Sequence, residues 1–324
     1  MELAASDPSS RDREMNALVE TRPLRKVVVL GANGTMGFRS GALFASTGLP
    51  VTFLARDREK AEVGREKAAR AVRSTALKNK IDVGSYQDLA QAVADADLIF
   101  EALAEDFAIK AEIFERLDRC RKPDSLVATV SSGLSITDLA ARRSESFQRH
   151  FCGLHFFNPP QVIVGTELIA GEGTDPRVID FLEAYSTKRL GRLVVRTANT
   201  AGFAGNRIGF KVLNECAQLA ETHGPLVIDR LIGPYTGRAL PPLATIDLVG
   251  WDVHKAIVDN VCDKLSDEAI ATYRLPAYMQ QMIDRGVLGA KSGGGFFRRK
   301  RGEPLRVLDI PSGEYLPADA VALP

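Results

Sequence analysis

Residues 26–37, KVVVLGANGTMG, place a run of aliphatic residues directly before three closely spaced glycines. Residues 36–46 then have the composition of a helix that ends at Gly48, and a second apolar run follows at 51–54. Further short apolar runs follow at 81–83, 98–102 and 126–130. Strands that alternate with helices in this way are typical of a parallel sheet with helices on both faces. The sequence therefore predicts an α/β fold with a doubly wound sheet.

The glycine turn indicates what this edge of the sheet could hold. Gly31, Gly34 and Gly37 allow a tight turn and would let a pyrophosphate approach backbone N–H groups at the helix N-terminus. Their spacing, G-x-x-G-x-x-G, is one residue longer than the common dinucleotide fingerprint. We predict a nicotinamide dinucleotide here, the alternative being a tight turn that binds nothing. The predicted contacts are Gly31, Asn33, Gly34, Thr35, Met36 and Gly37.

The end of the second predicted strand should distinguish NAD from NADP. An acidic side chain there hydrogen-bonds the ribose of NAD, whereas an arginine accommodates the 2′-phosphate of NADP. Ala55 stands where the acid is expected, and Arg56 follows it, with Arg58 nearby. Asp57 comes one or two positions late and is expected to cap the next helix. The local chemistry therefore favours NADP, while NAD stays open.

Composition excludes several other classes of protein. The chain has 324 residues, 45% of them apolar and 26% charged, with a net charge of +1. This balance provides no general attraction to nucleic acid, and no apolar run is long enough to span a membrane. The four cysteines lack the spacing of a metal site. Cys152 and Cys216 lie in apolar runs typical of reduced core residues, and the first 24 residues lack a secretory signal, so we expect a cytoplasmic protein.

The pattern of apolar residues divides the chain into segments. Extended runs continue at 153–157, 167–170 and 192–196, whereas from Gly202 to Gly289 apolar residues recur at helical spacing. The predicted domains are a mobile leader with one short helix at 1–24, a dinucleotide-binding domain at 25–200, a helical domain at 201–298, and a C-terminal arm at 299–324. The arm is basic and then proline-rich, and it either lies on the body or forms a loose tail.

A histidine and a glutamate supply the chemistry that hydroxyl oxidation requires. His155 stands in the stretch GLHFFNP, before an Asn-Pro turn, and Glu167 follows twelve residues later on the next extended segment. An imidazole can take the hydroxyl proton, and a carboxylate can orient the ring and stabilise its cationic form. With a hydride acceptor at the glycine turn, this pair predicts an alcohol or ketone oxidoreductase. The alternative is a structural histidine with a buried ion-pair partner.

Several motifs in one order resemble those of the 3-hydroxyacyl-CoA dehydrogenases. They are EALAEDFAIKAEIFERL at 101–117, SSG at 131–133, HFFNP with Glu167, GFAGNRI at 202–208, IDLVGWD at 246–252 and GVLGAKSGGGFF at 286–297. The HFFNPP form, GRAL and the tail VLDIPSGEYLP look most like the bacterial branch in which a dehydrogenase precedes an enoyl-CoA hydratase region. The resemblance implies a Rossmann-type domain followed by an all-helical domain. It also implies reversible oxidation of the 3-hydroxyl of an acyl thioester in fatty acid metabolism.

The resemblance assigns catalytic roles to single residues. It implies that His155 is the general base and that Glu167 raises its basicity. Ser132 and Asn206 would hydrogen-bond the substrate oxygens and hold them against the nicotinamide. Each has a structural alternative, since Ser132 could cap the helix predicted near Ile136 and Asn206 could cap or turn a helix start.

Other implications concern the cofactor, the partner and the CoA group. Glu105 and Lys110 would lie beside the cofactor, and the helical domain would bind substrate and form a homodimer. Val130 stands where the family usually has an asparagine near the nicotinamide. The segment 57–78 is predicted as a single helix, whereas many relatives have a longer helical hairpin there that contacts CoA.

The short 57–78 segment leaves other substrates open. An acyl group on a carrier protein, or a small free hydroxy acid as in relatives that act on carnitine or gulonate, would undergo the same chemistry. A non-catalytic NADP-binding sensor would need the glycine turn and Arg56 but not the pair of His155 and Glu167. A structural protein that retains the fold would need none of these residues.

Overall fold

Two compact units make up the chain in a computed structural model, which describes residues 8–266, 269–300 and 302–320. The first unit ends at Phe203, and the second begins at Ala204. This division adjoins the boundary predicted at residue 200. Each unit has a hydrophobic core of its own.

The first unit is a sheet of eight strands with helices on both faces, which confirms the predicted doubly wound fold. Its helices are α1 (Pro8–Thr21), α2 (Thr35–Ala45), α3 (Arg58–Ala71), α4 (Leu89–Val93), α5 (Phe107–Cys120), α6 (Ile136–Ala140), α7 (Glu145–His150) and α8 (Pro176–Lys188). Its strands are β1 (Val27–Leu30), β2 (Val51–Ala55), β3 (Ile81–Ser85), β4 (Leu98–Glu101), β5 (Leu126–Thr129), β6 (Phe151–Phe156), β7 (Gly165–Ala170) and β8 (Leu193–Thr197). The strand order is β3-β2-β1-β4-β5-β6-β7-β8, and only the pair β6–β7 is antiparallel.

The central strand β1 shows why these apolar runs form a parallel sheet. Val27 and Val29 pack into the core on one face, whereas Val28 and Leu30 pack into the core on the other. All four side chains are completely buried between β2 and β4. A strand that is covered on both faces needs a continuous apolar run, which is the pattern that residues 26–30 show.

The predicted single helix at 57–78 is wrong. Helix α3 ends at Ala71, and a separate 3₁₀ turn covers Thr75–Lys80. Between them Arg73 adopts a positive φ of 54°, a left-handed conformation that an α-helix cannot continue through. The charged composition of this segment suits both states, so periodicity alone did not reveal the break.

Residues 8–24 differ from the mobile leader predicted for 1–24, of which residues 1–7 lie outside the described part of the chain. Helix α1 packs against α8, and Val19 and Leu24 are buried in the core of the first unit. Lys188 on α8 also pairs with Asp12 on α1 at 2.6 Å. A few apolar side chains in a mostly polar segment are therefore enough to attach it to the sheet's outer helix.

The second unit is helical up to residue 296, as predicted, and ends in a small sheet. Its elements are α9 (Gly205–His223), α10 (Pro225–Ile232), α11 (Pro242–Val249), α12 (Trp251–Lys264), α13 (Ala277–Asp284), β9 (Phe297–Arg298), β10 (Arg306–Asp309) and β11 (Glu314–Pro317). Val307 and Leu308 of the antiparallel sheet β9–β11 are buried, so residues 302–320 of the predicted C-terminal arm pack on their own unit. None of the described helices is both long and apolar enough to cross a membrane.

Candidate active site

His155 and Glu167 lie directly opposite each other on the antiparallel strands β6 and β7. The imidazole Nδ1 is 2.7 Å from the carboxylate Oε2. The two residues are only 5% and 3% exposed. Opposite residues on neighbouring strands project from the same face of the sheet, so the fold itself brings the predicted pair together.

This contact also decides which ring nitrogen is available for chemistry. An ionised carboxylate can only accept hydrogen bonds, so the proton of the neutral imidazole must lie on Nδ1 of His155. The lone pair of Nε2 is then available to accept a proton from a substrate. An imidazole oriented in this way by a buried carboxylate is chemically suited to act as a general base, and that role stays a prediction.

Two aromatic rings pack edge-on against the imidazole. The centroid of the His155 ring is 4.9 Å from that of Phe157 and 5.7 Å from that of Phe203. Phe203 is buried and has a positive φ of 50°, which is unusual for a bulky residue and stores strain. The rings restrict the orientation of the imidazole from the sides that Glu167 does not contact.

The loop that carries Ser132 is held by Glu105. One oxygen of this carboxylate accepts hydrogen bonds from Ser131 Oγ at 2.6 Å and from the backbone N–H groups of Ser132 and Gly133, both at 2.8 Å. Burial raises the pKa of Glu105, but the charge of Lys110 and these donors outweigh it and lower the pKa below its usual value. Glu105 is therefore an anion that fixes the loop.

The hydroxyl of Ser132 is not needed to cap the following helix. Ser135 occupies the N-cap position of α6, and its side chain accepts the backbone N–H of Asp138. The structural alternative considered for Ser132 is thereby removed. Its hydrogen-bonding to substrate stays a prediction.

Lys110 lies beneath the same loop and not at its surface. Its ammonium is 2.6 Å from Glu101 and 3.6 Å from Glu105, and the Lys110 and Glu101 side chains are almost completely buried. Glu101 also accepts hydrogen bonds from Thr129 Oγ1 and from the N–H of Leu103, both at 2.5 Å. The buried ammonium of Lys110 therefore contacts both Glu101 at the end of β4 and Glu105, the carboxylate that is bonded to the loop after β5. The prediction that Lys110 contacts the cofactor itself stays untested.

The glycine turn has the close backbone approaches that a cofactor-binding turn requires. Gly31 has a positive φ of 74°, and a Cβ there would lie 2.2 Å from the carbonyl oxygen of Ala102. A Cβ on Gly37 would lie 2.1 Å from the oxygen of Gly31. Gly34 is the N-cap of α2 and has no side chain to cover the first N–H groups of the helix. Among the other predicted contacts, Asn33 and Thr35 are exposed and Met36 is half-buried.

The end of β2 presents an arginine, as the sequence predicted. Ala55 is the last residue of the strand, and Arg56 is exposed directly after it. Asp57 caps α3 by accepting the N–H of Lys60 at 2.8 Å. Hydrogen bonds with Lys60 hold the pKa of Asp57 below its usual value. The first acidic side chain after β2 is thus already used as the cap of α3.

Asn206 is in the second unit. It lies in the first turn of α9, where Ala204 occupies the N-cap position. Asn206 is therefore not the cap of this helix, which removes one of the structural alternatives. Its proposed contact with substrate stays a prediction.

Comparison with known sequences identifies the family. Residues 26–200 match the sequence model of the 3-hydroxyacyl-CoA dehydrogenase NAD binding domain, and residues 202–299 match that of the C-terminal domain. The chain belongs to the 3-hydroxyacyl-CoA dehydrogenase family. It is thereby an oxidoreductase that uses a nicotinamide cofactor, as the sequence predicted.

Relatives within this family are similar over most of the chain. A probable 3-hydroxyacyl-CoA dehydrogenase of Bacillus subtilis is 33% identical over 88% of the chain, which spans 40% of that longer protein. One of Deinococcus radiodurans is 32% identical over 87% of the chain and 85% of its own length. The crystal structure of Mycobacterium tuberculosis FadB2 is 28% identical with a TM-score of 0.77, covering 86% of this chain and 99% of that one.

Four further residues shape this site and were not predicted from the sequence. Tyr86, at the end of β3, hydrogen-bonds the N–H of Gly31 at 3.1 Å. Gly64 of α3 approaches the glycine turn so closely that a Cβ would lie 2.5 Å from a backbone oxygen. Glu101 forms the buried pair described above, and Asn199 binds the N–H of Ile136 at 2.9 Å. The position of Glu101 after an apolar run was the only available signal.

Proposed function

We propose that the enzyme interconverts 3-hydroxyacyl-CoA and 3-ketoacyl-CoA. The observation that carries this proposal is the buried contact of 2.7 Å between His155 and Glu167, which leaves Nε2 as the base. The names of relatives support the substrate class, since several are called 3-hydroxyacyl-CoA or 3-hydroxybutyryl-CoA dehydrogenases. The glycine turn in the same unit supports the cofactor.

In the oxidation direction, His155 Nε2 takes the proton of the 3-hydroxyl group. A nicotinamide dinucleotide held at the glycine turn by Gly31, Gly34 and Gly37 would supply the acceptor for the hydride that leaves C3. Glu167 stabilises the imidazolium that forms, and in the reverse direction the protonated ring returns its proton to the ketone oxygen. Ser132 and Asn206 hydrogen-bond the substrate oxygens and orient C3. A positioned base of this kind contributes about 10²–10⁴ in rate.

The test is an assay of the full chain with acetoacetyl-CoA and reduced cofactor. The proposal expects the nicotinamide absorbance to fall only when both are present. A wild-type enzyme that binds the cofactor but reduces neither acetoacetyl-CoA nor longer 3-ketoacyl-CoA thioesters would contradict the proposal.

We propose further that NADP is preferred over NAD. Arg56 is exposed at the end of β2, where the ribose of a bound dinucleotide would lie, and a guanidinium can pair with a 2′-phosphate in a bidentate manner. Asp57, the nearest acid, is used as a helix cap. Comparable kcat/KM values for NADH and NADPH would remove this assignment.

A second candidate is the same reaction on a substrate without CoA. The observation that favours it is the short connection between β2 and β3, where α3 is followed only by a 3₁₀ turn. A structural neighbour, 26% identical with a TM-score of 0.68, is described as a diketoreductase acting on dicarbonyl compounds. A panel of CoA thioesters, carrier-bound acyl groups and free 3-hydroxy acids separates the two candidates by kcat/KM.

We also propose a homodimer formed through the helical unit. A groove of about 830 Å³ in this unit is lined mainly by apolar residues. Tyr235 and Leu248 on its wall are 87% and 71% exposed, which is costly for a monomer in water. Sedimentation should give the mass of a dimer, and Leu248→Glu should give that of a monomer.

A reducing compartment such as the cytoplasm is the proposed location. All four cysteines are free thiols, namely Cys120, Cys152, Cys216 and Cys262. Burial raises the pKa of the Cys152 thiol to about 12, so it stays protonated and unreactive. Detection of the tagged protein in the cytoplasmic fraction of its cell would support this location, and detection outside the cell would contradict it.

A further inference from the structure

We propose that Glu101 is a positioning residue that holds two parts of the site in the first unit, the glycine turn and the loop that carries Ser132. Glu101 is the last residue of β4, and β4 lies between β1, which ends at the turn, and β5, which ends at the loop. The inference rests on the proposed function, since it takes from it the roles of the turn and of Ser132. It adds the group on which the placement of both depends.

Glu101 cannot act by touching a ligand. Its side chain is completely buried, and both of its carboxylate oxygens are occupied by donors from the protein. Oε1 accepts hydrogen bonds from the backbone N–H of Leu103 at 2.5 Å and from Lys110 Nζ at 2.6 Å. Oε2 accepts one from Thr129 Oγ1 at 2.5 Å. Any effect of Glu101 on the reaction therefore passes through these three donors.

The first donor leads to the glycine turn. The N–H of Leu103 belongs to the peptide unit that also carries the carbonyl group of Ala102. In a trans peptide the N–H and the C=O point in opposite directions, so holding the N–H fixes the direction of the carbonyl. That peptide unit lies against Gly31, where a Cβ would be 2.2 Å from the Ala102 oxygen and 3.1 Å from the Leu103 nitrogen. Glu101 thereby fixes the backbone surface on which the first glycine of the turn packs.

The second donor leads to the loop that carries Ser132. Thr129 Oγ1 donates to Glu101 and accepts a hydrogen bond from the backbone N–H of Ser131 at 3.1 Å. A hydroxyl group has a single proton, so the bond to Glu101 directs that proton away from Ser131 and leaves a lone pair for its N–H. The backbone directly before Ser132 is held in this way.

The third donor reaches the same loop from another side. Lys110 is 3.6 Å from Glu105, whose carboxylate binds the Ser131 hydroxyl and the next two backbone N–H groups. One chain of contacts therefore runs from Glu101 to the glycine turn, and two run to the Ser132 loop. Loss of Glu101 should disturb both parts of the site.

The surroundings of Glu101 also favour a positioning role. The other residues of β4, 98–100, are apolar and buried, so the carboxylate interrupts an otherwise continuous core strand. A buried ion pair contributes little net stability compared with apolar side chains of similar size. Hydrogen bonds from fixed donors to a carboxylate, in contrast, are directional and strong.

The test compares Glu101→Ala with Glu101→Gln. Glutamine keeps an oxygen for Leu103 and Lys110 and offers Thr129 an N–H, whereas alanine removes every one of these bonds. In the alanine variant the Kd of NADPH and of NADH, followed by nicotinamide fluorescence, should rise about fivefold or more. Its kcat for acetoacetyl-CoA should fall about tenfold or more. Glutamine should return both values to within about threefold of the wild type, whatever its melting temperature.

Thr129→Val separates the two effects, and it tests the proposal even where the alanine variant does not fold. It removes only the hydroxyl that holds Ser131, so kcat should fall about threefold or more while the Kd of both cofactors stays at the wild-type level. Glu183→Ala and Glu183→Gln are the matched controls, because Glu183 is a largely buried carboxylate of α8 that pairs with Arg196 at 2.5 Å. Both controls should keep the wild-type Kd and kcat.

Four results overturn the proposal. They are a wild-type Kd and kcat in Glu101→Ala, losses that glutamine does not restore, an unchanged kcat in Thr129→Val, and equal losses in Glu183→Ala. The last would show that reduced stability alone explains the effects. A wild-type enzyme that reduces no 3-ketoacyl-CoA thioester would contradict the proposed function instead. The cofactor Kd of the two Glu101 variants would then still test the contact with the glycine turn.

Discussion

The phenolic oxygen of Tyr86 accepts a hydrogen bond from the backbone N–H of Gly31 at 3.1 Å. Gly31 is the first glycine of the cofactor turn, and its positive φ is held from the other side by the close approach of Ala102. Burial raises the pKa of Tyr86, so the phenol stays neutral and can accept this bond. The end of β3 therefore helps to set the shape of a turn that begins at β1.

Tyr86→Phe tests the importance of this bond for the cofactor. The substitution leaves the buried N–H of Gly31 without its acceptor, which costs about 1–3 kcal/mol and loosens the turn. We expect the Kd of the reduced cofactor, followed by its fluorescence, to rise about fivefold or more, with kcat at saturation unchanged. Tyr278→Phe, which removes a tyrosine–backbone hydrogen bond of 2.8 Å to Ala217 in the second unit, is the control. An unaltered Kd would show that the turn holds its shape without Tyr86.

Arg56→Asp should reverse the cofactor preference. The variant removes the guanidinium that would pair with a 2′-phosphate and introduces a carboxylate that repels it. The ratio of kcat/KM for NADPH to that for NADH should fall about tenfold to a hundredfold. Arg73→Asp makes the same charge change at an exposed position at the other end of α3, where aspartate tolerates the positive φ. If both variants keep the wild-type ratio, another residue selects the cofactor.

Glu105→Ala should lower kcat because the loop that carries Ser132 loses the carboxylate that holds it in place. The carboxylate holds the backbone of the Ser132 loop with three hydrogen bonds, and alanine releases all of them. A double-mutant cycle with Ser132→Ala measures the coupling. Once the Ser132 hydroxyl is gone, loss of Glu105 should cost much less activity than it does in the wild type. Glu112→Ala, at an exposed position of α5, is the control, and additive losses in the cycle would contradict this role.

Burial of Asp247 should make the stability of the second unit depend on pH. The pKa of this carboxyl is raised from 3.8 to about 6 by burial, despite hydrogen bonds from Phe296, Phe297 and Trp251. A raised pKa means that the folded protein binds the proton more tightly than the unfolded chain. The resulting stabilisation is complete below the unfolded pKa of 3.8 and is lost as the pH rises through 6.

Urea unfolding should detect this dependence directly. Between about pH 7.5 and about pH 5, protonation of Asp247 adds about 1–1.5 kcal/mol to the free energy of unfolding. Asp247→Asn has no proton to bind, so its free energy of unfolding should rise less over the same range, whatever its absolute stability. Equal slopes for the variant and the wild type would mean that the carboxylate stays ionised in the fold.

The parts of the fold that follow from local patterns could be predicted from the sequence. The fully apolar run of β1 requires cover on both faces, and the glycines after it require a tight turn. His155 and Glu167 could be paired because each lies on an extended segment with a short Asn-Pro turn between them. The spacing of apolar residues and the residues that form turns act over a few positions of the chain. The elements that they predict are therefore present in the fold.

The contacts that depend on distant elements could not be predicted. Tyr86 reaches Gly31 across the ends of three strands, and Asn199 reaches Ile136 from the far end of the first unit. The end of helix α3 near Arg73 is also not marked by a glycine or proline, so the sequence did not indicate it. Strand order brings such residues together, and strand order is not visible in the spacing of a single sequence.

The central claim is that His155 Nε2 is the base, and His155→Gln tests it most directly. Glutamine fills similar space but cannot take up the proton, so kcat for acetoacetyl-CoA should fall about 10²–10⁴-fold. The Kd of the cofactor and the melting temperature, measured on the same preparation, should stay close to the wild-type values. A variant that binds cofactor normally and retains kcat within about threefold of the wild type would contradict the account.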